Sequence, residues 1–312
     1  MLKTRSKLIV AAVLLFVIFL VMEITLRKAW GLGSMLLYTE DPAFEYIPKP
    51  NQDNVRFGNR IISNEYSMRS LPLNEDDSCT VLGFGDSVIN GGVLTDQDSL
   101  ATTLVENQLN TEGSPRVRFL NISAGSWGPD NCAAYLKKYG SFNAKMIILF
   151  VSSHDAHDNM TFEKVVGVHQ SYPEKQYPLA VAELIGRYVW PRAMAMISEN
   201  KSGTTENLMI NKGGIDFNSG FDFFKDYTQK NEIPFLVCLH AEKIEVEAGK
   251  FDTQGDEILK YCLKNNIKVI SGLEIGEDVN EFRDTIHLNE KGQKRWAKVL
   301  LNEIQGTMKS CL

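Results

Sequence analysis

The stretch TVLGFGDSVINGG, Thr80 to Gly92, is an apolar run that ends in Gly-Asp-Ser and continues into further glycines. Taken from Cys79, the run CTVLGFG (79–85) has no polar alternation, the pattern of a strand buried on both faces. Gly85 permits a sharp turn, and Ser87 then begins the loop at the sheet edge. A serine there is either a turn residue or a nucleophile. Its hydroxyl is a weak nucleophile unless a base takes the proton.

The same pattern recurs outward from this stretch. VRFLNIS (117–123), KMIILFVSS (145–153), IPFLVCLH (233–240) and IKVISG (267–272) read as four more strands. Helical patterns fall around them at about 98–110, 129–140, 219–230, 252–265 and 289–305. Asp98 is the expected N-cap of the first; Pro129 and Gly140 open and close the second. This alternation predicts a three-layer α/β/α body, doubly wound, around a mostly parallel five-stranded sheet. Sites in such folds form beyond the carboxyl ends of the strands. The body is assigned to 77–312. Residues 31–76 are a polar, turn-rich lead-in packed on it, with VRFGNRIISN as a hairpin signalled by Gly58-Asn59. The segment at about 160–215 interrupts the alternation. Within it Val181, Leu184, Ile185, Tyr188 and Val189 recur at helical spacing, which reads as a helix packed on the body, a lid, a membrane-contacting patch or a partner surface.

Residues 1–30 differ from the rest. LIVAAVLLFVIFLVM (Leu8–Met22) is unbroken apolar sequence, preceded by Lys3, Arg5 and Lys7. It spans roughly 22 Å as a helix, and Ile24 and Leu26 extend it while Glu23, Arg27 and Lys28 snorkel. EITLRKAW follows and offers a poor cleavage site, so an uncleaved transmembrane signal anchor is expected; a cleaved signal and a buried helix are the alternatives. Three basic residues before the span against two after it favour a cytoplasmic N-terminus and an extracytoplasmic body, periplasmic or at the cell surface. The net charge is -6 with no basic block beyond the N-terminus, which argues against nucleic acid as a partner. Cys79, Cys132, Cys238, Cys262 and Cys311 fit no metal spacing, and an odd count leaves at least one thiol unpaired or paired with another chain.

Three further stretches could carry chemistry. NISAGSWGPDN (121–131) is rich in small residues that let a backbone N–H face a ligand. FVSSHDAHDN (150–159) gathers His154, Asp155, His157 and Asp158, ligand types a transition metal takes. No further set at a familiar spacing completes that site, so no metal or cofactor is expected, and Asp155 also suits a helix N-cap. In DTIH (284–287) the spacing lets Asp284 reach the ring of His287. It would fix the tautomer and stabilise the imidazolium, as the third member of a triad does.

With both ends in view, the chain resembles the SGNH (GDSL-like) hydrolase superfamily over about residues 78–305. Gly85-Asp86-Ser87 matches its first block and Asp284-x-x-His287 its last. The lead-in also resembles that of membrane-anchored members found with bacterial surface-polysaccharide genes. The resemblance implies the SGNH, flavodoxin-like fold and a catalytic triad of Ser87, His287 and Asp284. It implies a serine esterase that forms an acyl-enzyme and de-O-acylates a carbohydrate or polysaccharide outside the membrane. The alternatives are an O-acetyltransferase using the same triad, which would need a partner protein, and a non-catalytic glycan-binding or assembly module. Polysaccharide-assembly proteins are possible partners on this view. The middle blocks depart from the pattern. The usual Asn-x-x-x-x-Gly becomes Asn121 leading to Ser126, flanked by Gly125 and Gly128, and a backbone N–H survives. The usual Gly-x-Asn-Asp becomes Ser153-His154-Asp155, so an imidazole replaces the asparagine amide. The implied oxyanion hole is therefore Ser87, Ser126 and His154.

Overall fold

The computed structural model describes residues 2–74, 77, 79–110, 116–197, 210 and 212–309. It opens with a 29-residue helix, α1 (Leu2–Trp30). Leu8 to Met22 lie along it largely uncovered, with Leu15 67% exposed. The helix is long and apolar enough to cross a membrane by length and composition. Because its apolar surface is bare, it is not a core helix of the body. Only its last turns, at Glu23 and Leu26, are buried.

The lead-in forms two small antiparallel pairs, β1 (Tyr38–Asp41) with β2 (Glu45–Pro48) and β3 (Gln52–Arg56) with β4 (Asn59–Ser63). Arg56 pairs with Asn59, so Phe57 and Gly58 make the turn, with φ of 51° and 83°. The turn thus sits one residue earlier than Gly58-Asn59. Two successive positive φ values suit the right-handed twist of a hairpin. The Asn59 side chain reaches the Val93 carbonyl instead, at 3.2 Å. The lead-in is part of the core. Phe44 and Tyr46 are buried, Trp127 donates its indole N–H to the Tyr46 carbonyl, and buried Lys212 pairs with buried Glu45 at 2.5 Å.

The central sheet holds β5 (Cys79–Gly85), β6 (Val117–Ser123), β7 (Ala144–Val151), β8 (Phe235–Leu239) and β9 (Lys268–Ser271). Its order is β6-β5-β7-β8-β9, all parallel. The chain leaves β5 toward one side for β6 and returns to the other side for β7. The carboxyl end of β5 is therefore the topological switch point, where α/β sheets open a crevice. Alternate β5 residues feed two cores. Leu82 and Phe84 meet α4 (Pro129–Tyr139), α7 (Gly220–Lys230) and α9 (Thr253–Lys264) through Tyr135, Phe224 and Ile258. Val81 meets α3 (Ala101–Leu109) and α10 (Glu290–Thr307) through Val105, Trp296 and Leu300.

The helix after β5 starts later than expected. Asp98 lies in a 3-10 turn (Gln97–Ser99), where Asp96 accepts its N–H at 2.9 Å; extended Leu100 then precedes α3. One-turn α2 (Ser87–Asn90) and short α8 (Lys243–Ala248) complete the body. In the 160–215 segment, α5 (Ala180–Glu183) runs through a π-helical stretch, Leu184–Val189, into α6 (Trp190–Ile197). Cys132, Cys238 and Cys262 are buried free thiols, and Cys79 is disulfide-bonded; Cys311 lies outside the described residues.

Candidate active site

At the end of β5 a Cβ on Gly85 would lie 2.8 Å from the Phe150 carbonyl, so only glycine fits the close approach of β7. Asp86 then caps α2, accepting the Val88 N–H at 2.8 Å, and Ser87 is the first residue of that turn. The Ser87 hydroxyl lies 2.9 Å from His287 Nε2. His287 Nδ1 lies 2.8 Å from Asp284 Oδ2. Asp284 Oδ1 also accepts the backbone N–H groups of Ile286 (3.0 Å) and His287 (2.8 Å), an Asx turn that presents the ring. Burial pushes the Asp284 carboxyl upward. The two N–H groups and the His287 ring outweigh it and hold the carboxyl below its ordinary range. The three residues form one hydrogen-bonded chain of nucleophile, base and orienting carboxylate.

The loop that carries His287 rests on a residue the sequence reading did not single out. His240 directly follows β8. Its Nε2 meets the Ile286 carbonyl at 2.7 Å and its Nδ1 meets Glu277 at 2.6 Å. Glu277 also accepts from the Ala241 N–H and the Trp296 indole. Burial disfavours a charge on His240, but the Glu277 carboxylate overcomes it and raises the ring's pKa. Bonded on one side to Glu277 and on the other to the Ile286 carbonyl, the ring holds the backbone one residue before His287. The only signal was a histidine at the end of IPFLVCLH, the edge where sites form. Arg283 ties the same loop to α2, donating to the Gly91 carbonyl (3.1 Å) and the Thr95 hydroxyl (2.9 Å).

Across from His287, Asn121 braces α2 by donating to the Ile89 carbonyl at 2.7 Å. Ser126 has a φ of 55°, the left-handed region where glycine is the natural occupant. The Tyr46 hydroxyl donates to the Gly125 carbonyl at 2.9 Å and steadies this loop. The hydrogen bonds among the described residues leave the backbone N–H groups of Ser87 and Ser126 unused.

His154 faces a different neighbourhood. Its Nδ1 meets Glu242 at 3.0 Å, and its Nε2 lies 3.9 Å from both Asp86 and Asp158. Burial opposes its charge, but Asp155, Glu242, Asp86 and Asp158 push its pKa up to about 10. Both ring nitrogens face carboxylates. The ring is not among those lining the cavity that holds Ser87 and His287. Asp155 is not the N-cap: Ser152 holds that position before the 3-10 turn Ser153–Ala156, and Asp155, within the turn, accepts the Ser152 N–H at 2.7 Å. His157 turns to Glu257 (2.8 Å), away from His154. Asp86, His154 and Asp155 bring donor atoms within 4.8 Å of one another.

Ser87, His287 and Asp284 open into a cavity of about 420 Å³ together with Gly125 and Ser126. The body adds Asn90, Gly92, Val93, Leu94 and Arg283 to its lining, and further walls come from outside the body. Tyr38, Arg56 and Phe57 come from the lead-in, and Tyr172, Arg187 and Tyr188 from the 160–215 segment. Arg56 is bonded to buried Glu183 and to the Tyr188 hydroxyl.

No family model and no curated protein matches the chain. Among solved structures it is similar to a lipase/acylhydrolase from Enterococcus faecalis, at 13% identity and a TM-score of 0.43, covering 73% of this chain and 96% of that one. It is similar to TesA at 13% identity and a TM-score of 0.44, covering 75% and 99% of the two chains. A third, the psychrotrophic esterase EstA from a Pseudoalteromonas species, has 12% identity and a TM-score of 0.40, covering 73% and 97%.

Proposed function

We propose that the chain is an SGNH-type serine esterase working through an acyl-enzyme. The observation that carries this reading is the chain Ser87–His287–Asp284, joined at 2.9 and 2.8 Å at the switch point of the sheet. Ser87 Oγ attacks the ester carbonyl while His287 Nε2 takes its proton. His287 returns that proton to the departing alcohol, then activates water to release the acid and free Ser87. Asp284 holds Nδ1 protonated and balances the imidazolium. The N–H groups of Ser87 and Ser126 receive the oxyanion; a single such donor is worth on the order of 10²–10³ in rate. His154, beside Asp86, supports the turn that presents Ser87 and lends positive charge to that side of the hole.

The substrate assigned by this reading is an O-acylated glycan outside the cytoplasmic membrane. Its support is the apolar α1 and a cavity walled by tyrosines and arginines, side chains that stack on sugar rings and bond their hydroxyl and carboxylate groups. The test is labelling by a serine-directed fluorophosphonate in wild type, Ser87→Ala and His287→Ala. Labelling of the wild type alone is expected. No labelling in any form refutes the esterase and leaves a binding module. Acyl groups appearing on a glycan acceptor, without free acid, would assign transfer to the same triad.

A further inference from the structure

The continuous helix Ala180–Ile197 is attached at its start to the end of α1. The Glu23 carboxylate accepts the N–H groups of Ala180 (2.8 Å) and Val181 (2.9 Å), two donors a helix start leaves free. Arg27 donates to the Pro178 carbonyl at 3.0 Å. Leu26, Leu32 and Ala180 form a buried cluster against which Leu184 and Tyr188 pack. Glu23 directly follows Met22, the last residue of the apolar run, so the second helix begins at the level where α1 leaves its bare apolar stretch.

From there the second helix exposes what a soluble surface would hide. Ile185, Val189, Trp190, Met194 and Met196 are between 47% and 86% exposed. Five large apolar side chains bare within twelve residues mark an interaction surface. The charges point to its partner. The one acidic residue from Ala180 to Ile197 is Glu183, buried against Arg56. Exposed Arg192 lies on the helix, and exposed Lys28 and Arg27 lie at the end of α1. Apolar side chains, a tryptophan and basic residues without exposed acids compose a helix that lies in the headgroup region of a bilayer.

We propose that Ala180–Ile197 is an interfacial membrane helix that docks on the bilayer beside α1. Arg187 and Tyr188 of this helix wall the cavity of Ser87, so docking sets the cavity mouth at the lipid surface. The enzyme then draws its ester from an amphiphile, a polar acylated head group on a lipid carrier, rather than from a free polymer. This rests on the esterase reading above and on α1 being a membrane span.

The full chain is placed in nanodiscs of zwitterionic and anionic phospholipid whose acyl chains carry nitroxide quenchers near the headgroup or deep in the core. Of the four tryptophans, Trp127 and Trp296 are buried within the body, and Trp30→Phe removes the other one exposed near the membrane. Trp30→Phe is expected to show quenching that is stronger with the shallow label, and Trp30→Phe/Trp190→Phe to lose it. Near-UV circular dichroism checks that both variants stay folded. Quencher-insensitive Trp190 emission from protein held in the discs overturns the docking and leaves the anchor standing. Failure of the folded chain to enter discs overturns the anchor, and the docking with it. Deep-label quenching as strong as shallow overturns the interfacial placement.

Discussion

Asp284→Asn keeps the shape of the triad and changes one proton. In the native site Oδ1 accepts two backbone N–H groups and Oδ2 faces His287 Nδ1 at 2.8 Å. The asparagine oxygen will keep the backbone side, because an NH2 there would oppose two donors. Its NH2 then faces Nδ1, which must become an acceptor. The ring proton moves to Nε2, and Nε2 donates to Ser87 where it should accept. The equivalent change in a serine protease lowers kcat about 10⁴-fold. Here the Asp284 side chain is 46% exposed, so water screens part of the charge effect but not the tautomer switch. The expected loss is ~10³–10⁴ in kcat on p-nitrophenyl acetate, about 4–5.5 kcal/mol of barrier, with KM within about twofold. The melting temperature should hold, since the Asx turn survives. A variant retaining more than about a tenth of wild-type kcat refutes the assignment of Asp284 as the orienting residue.

His240→Ala strands Glu277 in the interior and should cost about 3–5 kcal/mol in urea unfolding; a loss under about 1 kcal/mol would mean that the pair is not charged. The pair also sets a pH window. The raised His240 pKa gives stability that is complete below its unfolded value near 6.5 and lost as pH climbs through the folded one. The lowered Glu277 pKa gives stability present above its unfolded value and lost as pH falls through the folded one. His154, raised to about 10, should likewise contribute fully below about pH 6.5 and fade toward 10. Urea midpoints of His154→Gln should lack that alkaline decline, and an unchanged slope would count against an imidazolium. Ser126→Gly relieves a φ of 55° and should raise stability by up to about 1 kcal/mol while leaving the rate within about threefold, because the N–H remains. A thousandfold fall would mean that the Ser126 hydroxyl itself takes part.

The strands were legible because burial on both faces leaves an unbroken apolar run that needs no partner to be read. The pairing of Ser87 with DTIH was legible because parallel α/β topology brings strand ends and following loops to one edge. The cavity walls were not. Arg56, Arg187 and Tyr188 come from segments whose local sequence resembles any hairpin or helix, and they converge only through tertiary contacts such as Arg56 to Glu183. The Phe57-Gly58 turn was misread by one residue because Phe57, a poor positive-φ residue, yields to cross-strand register. Asp98 reads as a cap of α3, but nothing local announces the 3-10 turn that Asp96 caps, nor that the Ala101 N–H at the start of α3 goes to Gln293 far along the chain.

The division of the cavity between two sources has a practical edge. The reacting groups belong to the α/β body, while Tyr38, Arg56, Phe57, Tyr172, Arg187 and Tyr188, which would help choose a substrate, belong to the lead-in and the 160–215 segment. Cutting the chain at residue 77 to obtain a body free of its anchor would spare every member of the triad. It would also remove the Tyr46 carbonyl that satisfies Trp127, uncover the core around Phe44 and take away the Tyr38, Arg56 and Phe57 wall. A cut placed just after α1 would keep that wall but strip Glu23 and Leu26 from the start of the Ala180–Ile197 helix, so the end of α1 belongs to the cavity's support as well.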